Sequence, residues 1–197
     1  MRKATLKRNT RETSITLKLN LDGEGRAKII TPIGFLNHML ELLSFHANFD
    51  LEIKGSGDLE VDLHHLNEDI GIVLGKALDK TLGRRKGIVR FSSNTVPMDL
   101  SLVRVSLDIS GRPCLDFQKG PAGKFFVKDF KGYNLNYARQ FLLGIVHQAK
   151  ITLHIDILKA DDPHHVLEAI FKGLALCLFE ATRIRKRKSS ISTKDRK

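Results

Sequence analysis

Apolar and polar residues alternate over residues 15–21 and again over residues 103–109. This period of two is typical of a strand that packs one face against a core. Turn-forming residues follow each stretch, at 22–25 and at 110–113. The pattern predicts that each strand turns back as a β-hairpin, with residues 26–31 as the return strand of the first one.

Apolar residues also recur at intervals of three and four, which is the spacing of one face of a helix. A first helix is predicted around Phe35–Leu43, with Thr31 as its N-cap and Pro32 in its first turn. Three further helices are predicted: one that ends near Gly83, one over residues 134–148, and one in the last third of the chain.

Short apolar runs predict further strands at 49–54, 59–63 and 150–158. The order of elements is therefore repeated. We predict an α+β fold with two duplicated halves, each a small mixed β-sheet with two helices, and with the helices packed between the sheets. The predicted boundaries are residues 1–85 for the first half, 86–182 for the second half and 183–197 for a basic tail.

The clearest internal repeat is a pair of histidines followed by a glutamate. Its two copies are His64-His65-x-x-Glu68 and, one hundred residues later, His164-His165-x-x-Glu168. Apolar residues at helical spacing follow both copies, so each copy lies at the start of a predicted helix. Similarity at a fixed offset indicates a duplicated unit. Two copies in one duplicated frame argue against chance.

The spacing of this repeat suits metal binding. Residues three and four apart share a helix face, so each glutamate lies one turn from its histidines. Adjacent histidines point about 100° apart on a helix, so each copy is expected to serve two metal ions. Imidazole and carboxylate ligands suit zinc, manganese or iron. The alternative is two helix starts with solvated histidines, and the repetition favours metal.

Charge and cysteine content limit the kinds of partner and cellular location that the sequence is compatible with. The net charge is +11, and residues 183–197 hold eight of the basic residues against one aspartate. Such a tail can hold a phosphate, touch nucleic acid or remain solvated. Nucleic acid is the least favoured partner, because no aromatic platform accompanies the charge. Two cysteines, the absence of a signal-peptide pattern and the absence of a membrane span predict a cytoplasmic protein without a membrane partner.

Several motifs in the same order resemble the imidazoleglycerol-phosphate dehydratase family, over nearly the whole chain. They are Arg11-Glu12-Thr13, Gly34-Phe35-Leu36-Asn37-His38-Met39-Leu40, His64-His65-x-x-Glu68-Asp69, Pro97-Met98-Asp99, Asp108-x-Ser110-Gly111-Arg112-Pro113, Thr152-Leu153-His154-Ile155, His164-His165-x-x-Glu168-x-x-x-Lys172 and Ser192-Thr193-Lys194. The resemblance implies a lyase of histidine biosynthesis that removes water from a small imidazole-bearing phosphate ester and forms imidazole-acetol phosphate.

The resemblance also implies two Mn(II) ions per active site. The positions that match its metal ligands are His38, His64, His65, Glu68, Gln140, His164, His165 and Glu168. Glu12 matches its acid/base, and the resemblance implies that Glu68 and Glu168 act beside it at the reaction centre. The positions that match its substrate contacts are Glu12, His46, Arg90, Arg112, Lys172, Ser192, Thr193 and Lys194. For His46, a helix-terminal role beside the dipole is an equal alternative. His154 is interpreted as structural.

Some positions depart from the family pattern. Gln140 stands where the family has a metal-binding histidine, and leucines stand at positions 42, 63 and 100 where it has polar residues. One metal site is therefore expected to lack a strong ligand. A diverged protein that binds metal or imidazole phosphates with weak or no turnover is the alternative function. The resemblance further implies homo-oligomers, with trimers that metal joins into a particle of 24 chains.

Overall fold

The computed structural model of the chain describes residues 2–125 and 132–185. The first half contains β1 (Lys3–Asn9), β2 (Thr13–Asn20), β3 (Ala27–Ile30), α1 (Gly34–Ala47), β4 (Asp50–Gly57) and α2 (His64–Leu82). The second contains β5 (Phe91–Met98), β6 (Ser101–Asp108), β7 (Cys114–Gln118), a short 3-10 helix (Gly120–Phe125), α3 (Leu135–Ala149), β8 (Thr152–Lys159) and α4 (Pro163–Thr182).

The two halves build sheets of the same topology. The strand order is β1-β2-β4-β3 in one sheet and β5-β6-β8-β7 in the other. Within each sheet the last strand is parallel to its neighbour and the other pairs are antiparallel. Both sheets are thus mixed, as the repeated pattern predicts.

The helices lie as a layer between the sheets and pair across the halves. α2 packs on β1 and β2 and against α3 of the other half, while α4 packs on β5 and β6 and against α1. A single core of buried apolar side chains therefore joins both halves. The predicted fold class, a duplicated α+β protein with helices between two sheets, is confirmed.

Both predicted hairpins are wrong in their pairing. β3 does not pair with β2, because β4 lies between them and pairs with both. β8 separates β6 from β7 in the same way. The Asp50 carboxylate at the start of β4 accepts hydrogen bonds from the Glu24 and Arg26 amides, which fixes the loop beside the incoming strand. The sequence shows the turn residues between consecutive strands, but it does not show that a strand more than twenty residues further along inserts between them.

Two local predictions in the first half are also wrong. Residues 59–63 form turns and no strand, and they lead directly into α2. Helix α1 begins at Gly34, and its N-cap position is Ile33, which makes no side-chain capping bond. Thr31 bonds instead to the Asn37 side chain and the Ile33 amide. Pro32 therefore precedes the helix and does not lie in its first turn.

Glycines let the backbones of α2 and α3 touch. A Cβ atom added at Gly71 would overlap the carbonyl oxygen of Phe141, and one added at Gly144 would lie 2.9 Å from the Ile72 amide nitrogen. Gly75 meets Ile145 in the same manner further along. The close crossing thus requires residues without side chains at these positions.

We predict that Gly71→Ala and Gly144→Ala each lower the free energy of unfolding by at least about 1–3 kcal/mol, the usual cost of overpacking. The reason is that the neighbouring atoms are helix backbone and cannot rotate away. Gly34→Ala is the matched control, because Gly34 is also helical but has nothing within 4 Å of an added Cβ atom. Chemical denaturation measures the differences, and equal stability of all three variants would contradict the prediction.

Candidate metal and active site

An aspartate accepts hydrogen bonds near the start of both histidine-bearing helices, and Asp162 is the N-cap of α4, whereas the N-cap position of α2 is Leu63. Asp162 accepts hydrogen bonds from the amides of His164, at 2.8 Å, and His165, at 3.3 Å. In the first half, Asp62 accepts one from the His64 amide at 3.1 Å. A short acceptor side chain before the first turn satisfies amides that otherwise have no helical partner. Each pair is therefore held on the first turn of its helix.

Three candidate ligand atoms converge between α1 and α4. Glu168 Oε1 lies 2.7 Å from His164 Nε2 and 3.3 Å from His38 Nε2. We call His38, His164 and Glu168 the α1–α4 cluster. Their ligand atoms all lie within 4.8 Å of one another, and within residues 2–125 and 132–185 no other trio of histidine, cysteine or acidic side chains is this compact. Two imidazoles and a carboxylate are a donor set for Mn(II), Zn(II) or Fe(II).

Lys172 binds the second oxygen of Glu168. Its Nζ atom lies 2.6 Å from Glu168 Oε2. Burial alone would raise the pKa of this carboxyl group, but hydrogen bonds from Lys172, His164 and His38 outweigh burial and lower the pKa to about 2. The side chain is therefore a carboxylate at neutral pH, with one oxygen facing the histidines and the other facing the lysine.

A second group lies at the start of α2. His64 Nε2 is 2.9 Å from Glu68, which is one turn further along the helix. His65 Nδ1 lies 3.1 Å from both oxygens of Asp58 and 3.9 Å from Glu12. We call these five residues the α2 cluster. The hydrogen bond with Asp58 is the largest cause that raises the pKa of His65, and the charge of Glu12 adds to it against the effect of burial.

Gln140 lies on α3 beside the start of α2. The Asn67 side-chain amide donates to the Tyr137 carbonyl oxygen at 2.9 Å, and the Glu68 carbonyl oxygen lies 3.1 Å from the Cβ position of Gly144. Gln140 falls between these two contacts along α3. The α2 cluster thus has an amide on the neighbouring helix, whereas the α1–α4 cluster has the imidazole of His38 there.

A buried hydrogen bond holds this junction. The Tyr133 hydroxyl donates to Asn67 Oδ1 at 2.8 Å, and both side chains are fully buried. Burial raises the pKa of Tyr133 well above its ordinary value, so the hydroxyl stays protonated and remains a donor. The start of α2 is therefore tied to the segment that leads into α3.

His165 has an unusual environment. Its Nδ1 atom is buried and has no hydrogen-bond partner among the described residues. Its Nε2 atom lies 3.5 Å from Asp99, an exposed carboxylate after β5. An unsatisfied imidazole nitrogen next to a cluster of ligands is what a metal-binding histidine offers before the ion is present. The imidazole and carboxylate donors of both clusters fit a bound transition metal, and His165, which belongs to neither cluster, offers a further imidazole beside His164.

The predicted phosphate contacts are more widely spread. The Arg90 guanidinium binds both oxygens of Asp108, at 2.7 and 3.0 Å, and its backbone has a positive φ of 89°. Arg112 is exposed on the turn before β7. The predicted contacts Ser192, Thr193 and Lys194 lie outside the described residues. The structure thus brings Lys172 to the α1–α4 cluster and leaves Arg112 at the surface.

His46 lies close enough to the α1–α4 cluster to feel its charges. Partial burial and the positive charge of Lys172 lower the pKa of His46, while Glu168 acts in the opposite direction. His38 and His46 are two turns apart on α1, and Glu168 and Lys172 are one turn apart on α4. The two helices therefore share one polar seam. His154 lies apart from it, on the exposed face of β8, where it pairs with Asp116 at 3.3 Å.

Two acidic residues at the clusters were not predicted. Asp58 contacts His65, and Asp99 contacts His165. Asp58 precedes residues 59–63, in which apolar and polar residues alternate weakly. The sequence predicts a strand there, and a strand would not bring Asp58 to the start of α2. Asp99 is part of a motif that resembles the family pattern, but its spacing gives no indication of a contact with His165.

Comparison with known proteins identifies the class of protein to which the chain belongs. The family model described as imidazoleglycerol-phosphate dehydratase matches residues 31–178. An imidazoleglycerol-phosphate dehydratase of Thermodesulfovibrio yellowstonii is 48% identical over 184 residues, which are 93% of this chain and 94% of the relative. One of Thermoanaerobacter pseudethanolicus is 49% identical over 195 residues, which are 98% of each chain.

Solved structures agree with this class. The crystal structure of imidazoleglycerol-phosphate dehydratase from Staphylococcus aureus superposes with a TM-score of 0.82 at 34% identity, and the match covers 92% of this chain and 99% of that one. The chain belongs to the imidazoleglycerol-phosphate dehydratase family. It is accordingly an enzyme of the hydro-lyase class. Among the described residues, no helix combines the length and apolarity that a membrane crossing requires.

Proposed function

We propose that the protein dehydrates imidazoleglycerol phosphate to imidazole-acetol phosphate in histidine biosynthesis, with Mn(II) at the two histidine–glutamate clusters. Family membership supports the substrate class. The observation that carries the metal assignment is the convergence of His38, His164 and Glu168 on one point. A bound divalent ion would supply Lewis-acid stabilisation of negative charge on the substrate's imidazole ring.

The chain's own residues supply the remaining chemistry. Glu12 is an exposed carboxylate, 55% accessible, that lies 3.9 Å from His65 at the edge of the α2 cluster. In the proposed reaction it takes a proton from the carbon chain and returns one when the enol product becomes a ketone. The hydroxyl group leaves as water, so the atoms balance without an oxidant or reductant. Lys172 and Arg112 supply positive charge for the phosphate group.

A diverged binding protein is the second candidate. It is favoured by one observation, the glutamine at position 140 of α3, where the family resemblance implies a metal-binding histidine. An amide oxygen is a weaker ligand than imidazole for these ions. Such a protein would bind Mn(II) and imidazole phosphates at the complete cluster without turnover. A turnover assay separates the two functions.

We expect the wild-type protein to form imidazole-acetol phosphate in the presence of Mn(II), and Glu12→Gln to lower kcat by about 10²–10⁴, the usual contribution of an acid/base group. Metal content should not change, because Glu12 is the outermost residue of the α2 cluster. Glu52→Gln, on an exposed strand position paired with Lys18 at 2.8 Å, is the control. Absence of turnover in the wild-type protein would favour the diverged binder, and near-normal rates in Glu12→Gln would assign proton transfer elsewhere.

We predict two unequal classes of Mn(II) site per chain. The α1–α4 cluster includes the imidazole of His38 on the neighbouring helix, whereas the helix beside the α2 cluster carries Gln140 where the family resemblance implies a histidine. Gln140→His should tighten the weaker class and leave the tighter one unchanged, as read by electron paramagnetic resonance of free Mn(II) during titration. Gln148→His, two turns further along α3, is the control. Two classes of equal affinity in the wild-type protein would refute this prediction.

We infer that metal binding and assembly are linked, as the family resemblance implies for trimers joined into a 24-chain particle. His38 is 45% exposed, and both helix starts are partly accessible, so the clusters can accept ligands from a neighbouring chain. The particle should be large with Mn(II) and should fall to small oligomers with a chelator, because the ion stabilises the state that binds it. Light scattering measures the size, and a size independent of metal would show that the ions do not join chains.

A further inference from the structure

Asp58 makes the closest polar contact of His65. Both of its carboxylate oxygens lie 3.1 Å from His65 Nδ1, at the boundary between β4 and α2. The carboxylate is 22% exposed and the imidazole 30% exposed, so the contact is partly shielded from water. An ionised carboxylate only accepts hydrogen bonds. The contact therefore requires a proton on Nδ1, and a neutral His65 then has its lone pair on Nε2.

The backbone around Asp58 is fixed from several directions. Its amide donates to the Glu12 carbonyl oxygen at 3.1 Å, and its carbonyl oxygen accepts from the Val61 amide at 2.9 Å. The preceding Gly57 allows a close approach, since a Cβ atom there would lie 3.1 Å from Leu66 Cβ on α2. The backbone of Asp58 is thus held beside the helix start, within reach of the His65 ring. Its carboxylate selects one orientation of that ring.

We propose that Asp58 is a positioning residue that fixes the tautomer and orientation of His65, so that Nε2 is presented to the metal ion of the α2 cluster. This inference rests on the proposed metal-dependent function and adds a residue that neither the sequence motifs nor the repeat identified. A carboxylate on the non-coordinating nitrogen of a ligand histidine orients the ring and increases its basicity. In the second half the arrangement differs, because Asp99 faces Nε2 of His165 and leaves Nδ1 buried without a partner among the described residues.

The chain offers a matched control pair. His154 Nδ1 and the Asp116 carboxylate make a similar contact, at 3.3 Å, on the outer face of the second sheet. Both side chains are more exposed than the first pair, at 48% and 41%. The same substitution, aspartate to asparagine, therefore tests a histidine–carboxylate contact at the α2 cluster and one remote from both clusters.

The first measurement uses metal-free protein with ¹⁵N-labelled histidine. In the wild-type protein above the histidine titration range, the His65 spectrum should show a protonated Nδ1 and an unprotonated Nε2, assigned by comparison with His65→Gln. In Asp58→Asn the amide NH₂ group can donate to Nδ1, so the Nε2-protonated tautomer should become populated. Asp116→Asn should leave the His65 signals unchanged.

The second measurement is the Mn(II) dissociation constant of each variant, with thermal unfolding of the metal-free protein beside it. Asp58→Asn should weaken one class of Mn(II) site by about 10–100-fold, as loss of an outer partner does elsewhere, with an unchanged unfolding temperature. Asp116→Asn should bind as the wild type does. The proposal would be overturned if Asp58→Asn changed neither the Mn(II) affinity nor the tautomer of His65. It would also be overturned if the Mn(II) affinity fell only together with the unfolding temperature. A wild-type protein with these Asp58 effects but without turnover would contradict the dehydratase function and support this inference.

Discussion

The backbone contact between α2 and α3 is the constraint on which the arrangement of the two halves depends. At Gly71 and Gly144 the two helices approach until no side chain fits between them. The counterpart of Gly71 one hundred residues later is Phe171, which is buried and stacks on Phe141 with ring centroids 5.6 Å apart. The helix layer therefore contains a direct backbone contact at Gly71 and Gly144, and a pair of stacked aromatic rings lies next to that contact.

The two carboxylate oxygens of Glu168 have different partners, and these partners allow a charged group to be buried at the α1–α4 cluster. A carboxylate that is only 9% exposed would be costly without partners. Here Lys172 takes one oxygen and two imidazoles take the other. The lysine keeps the group ionised without entering the space between the histidines. The carboxylate is consequently ready to bind a cation on one side only, and this directionality comes from residues one turn apart on the same helix.

The parts of this structure that the sequence could predict are those that depend on short spacings. The helix starts at His64 and at Pro163–His164 follow from apolar periodicity, and the C-terminal end of α2 at Gly83 follows from the chemistry of glycine. Strand pairing was not predictable from local patterns, because β4 inserts between β2 and β3 from a later part of the chain. The contact of Asp58 with His65 was not predicted for a related reason. Asp58 lies between β4 and α2, and the turn that follows it, residues 59–63, has a sequence pattern typical of a strand.

The pairing of helices across the halves has a consequence for the origin of the chain. A single half has a sheet and two helices but lacks the helix on which each of them packs, since α1 packs on α4 and α2 packs on α3. An ancestor with one half would therefore have to associate with a second copy, and two-fold symmetry would make both of its ligand clusters identical. Fusion of the two copies into one chain removed that requirement. Gln140 is the counterpart of His38, and Ile72 is the counterpart of Lys172. Two identical copies of one half could not differ at these positions.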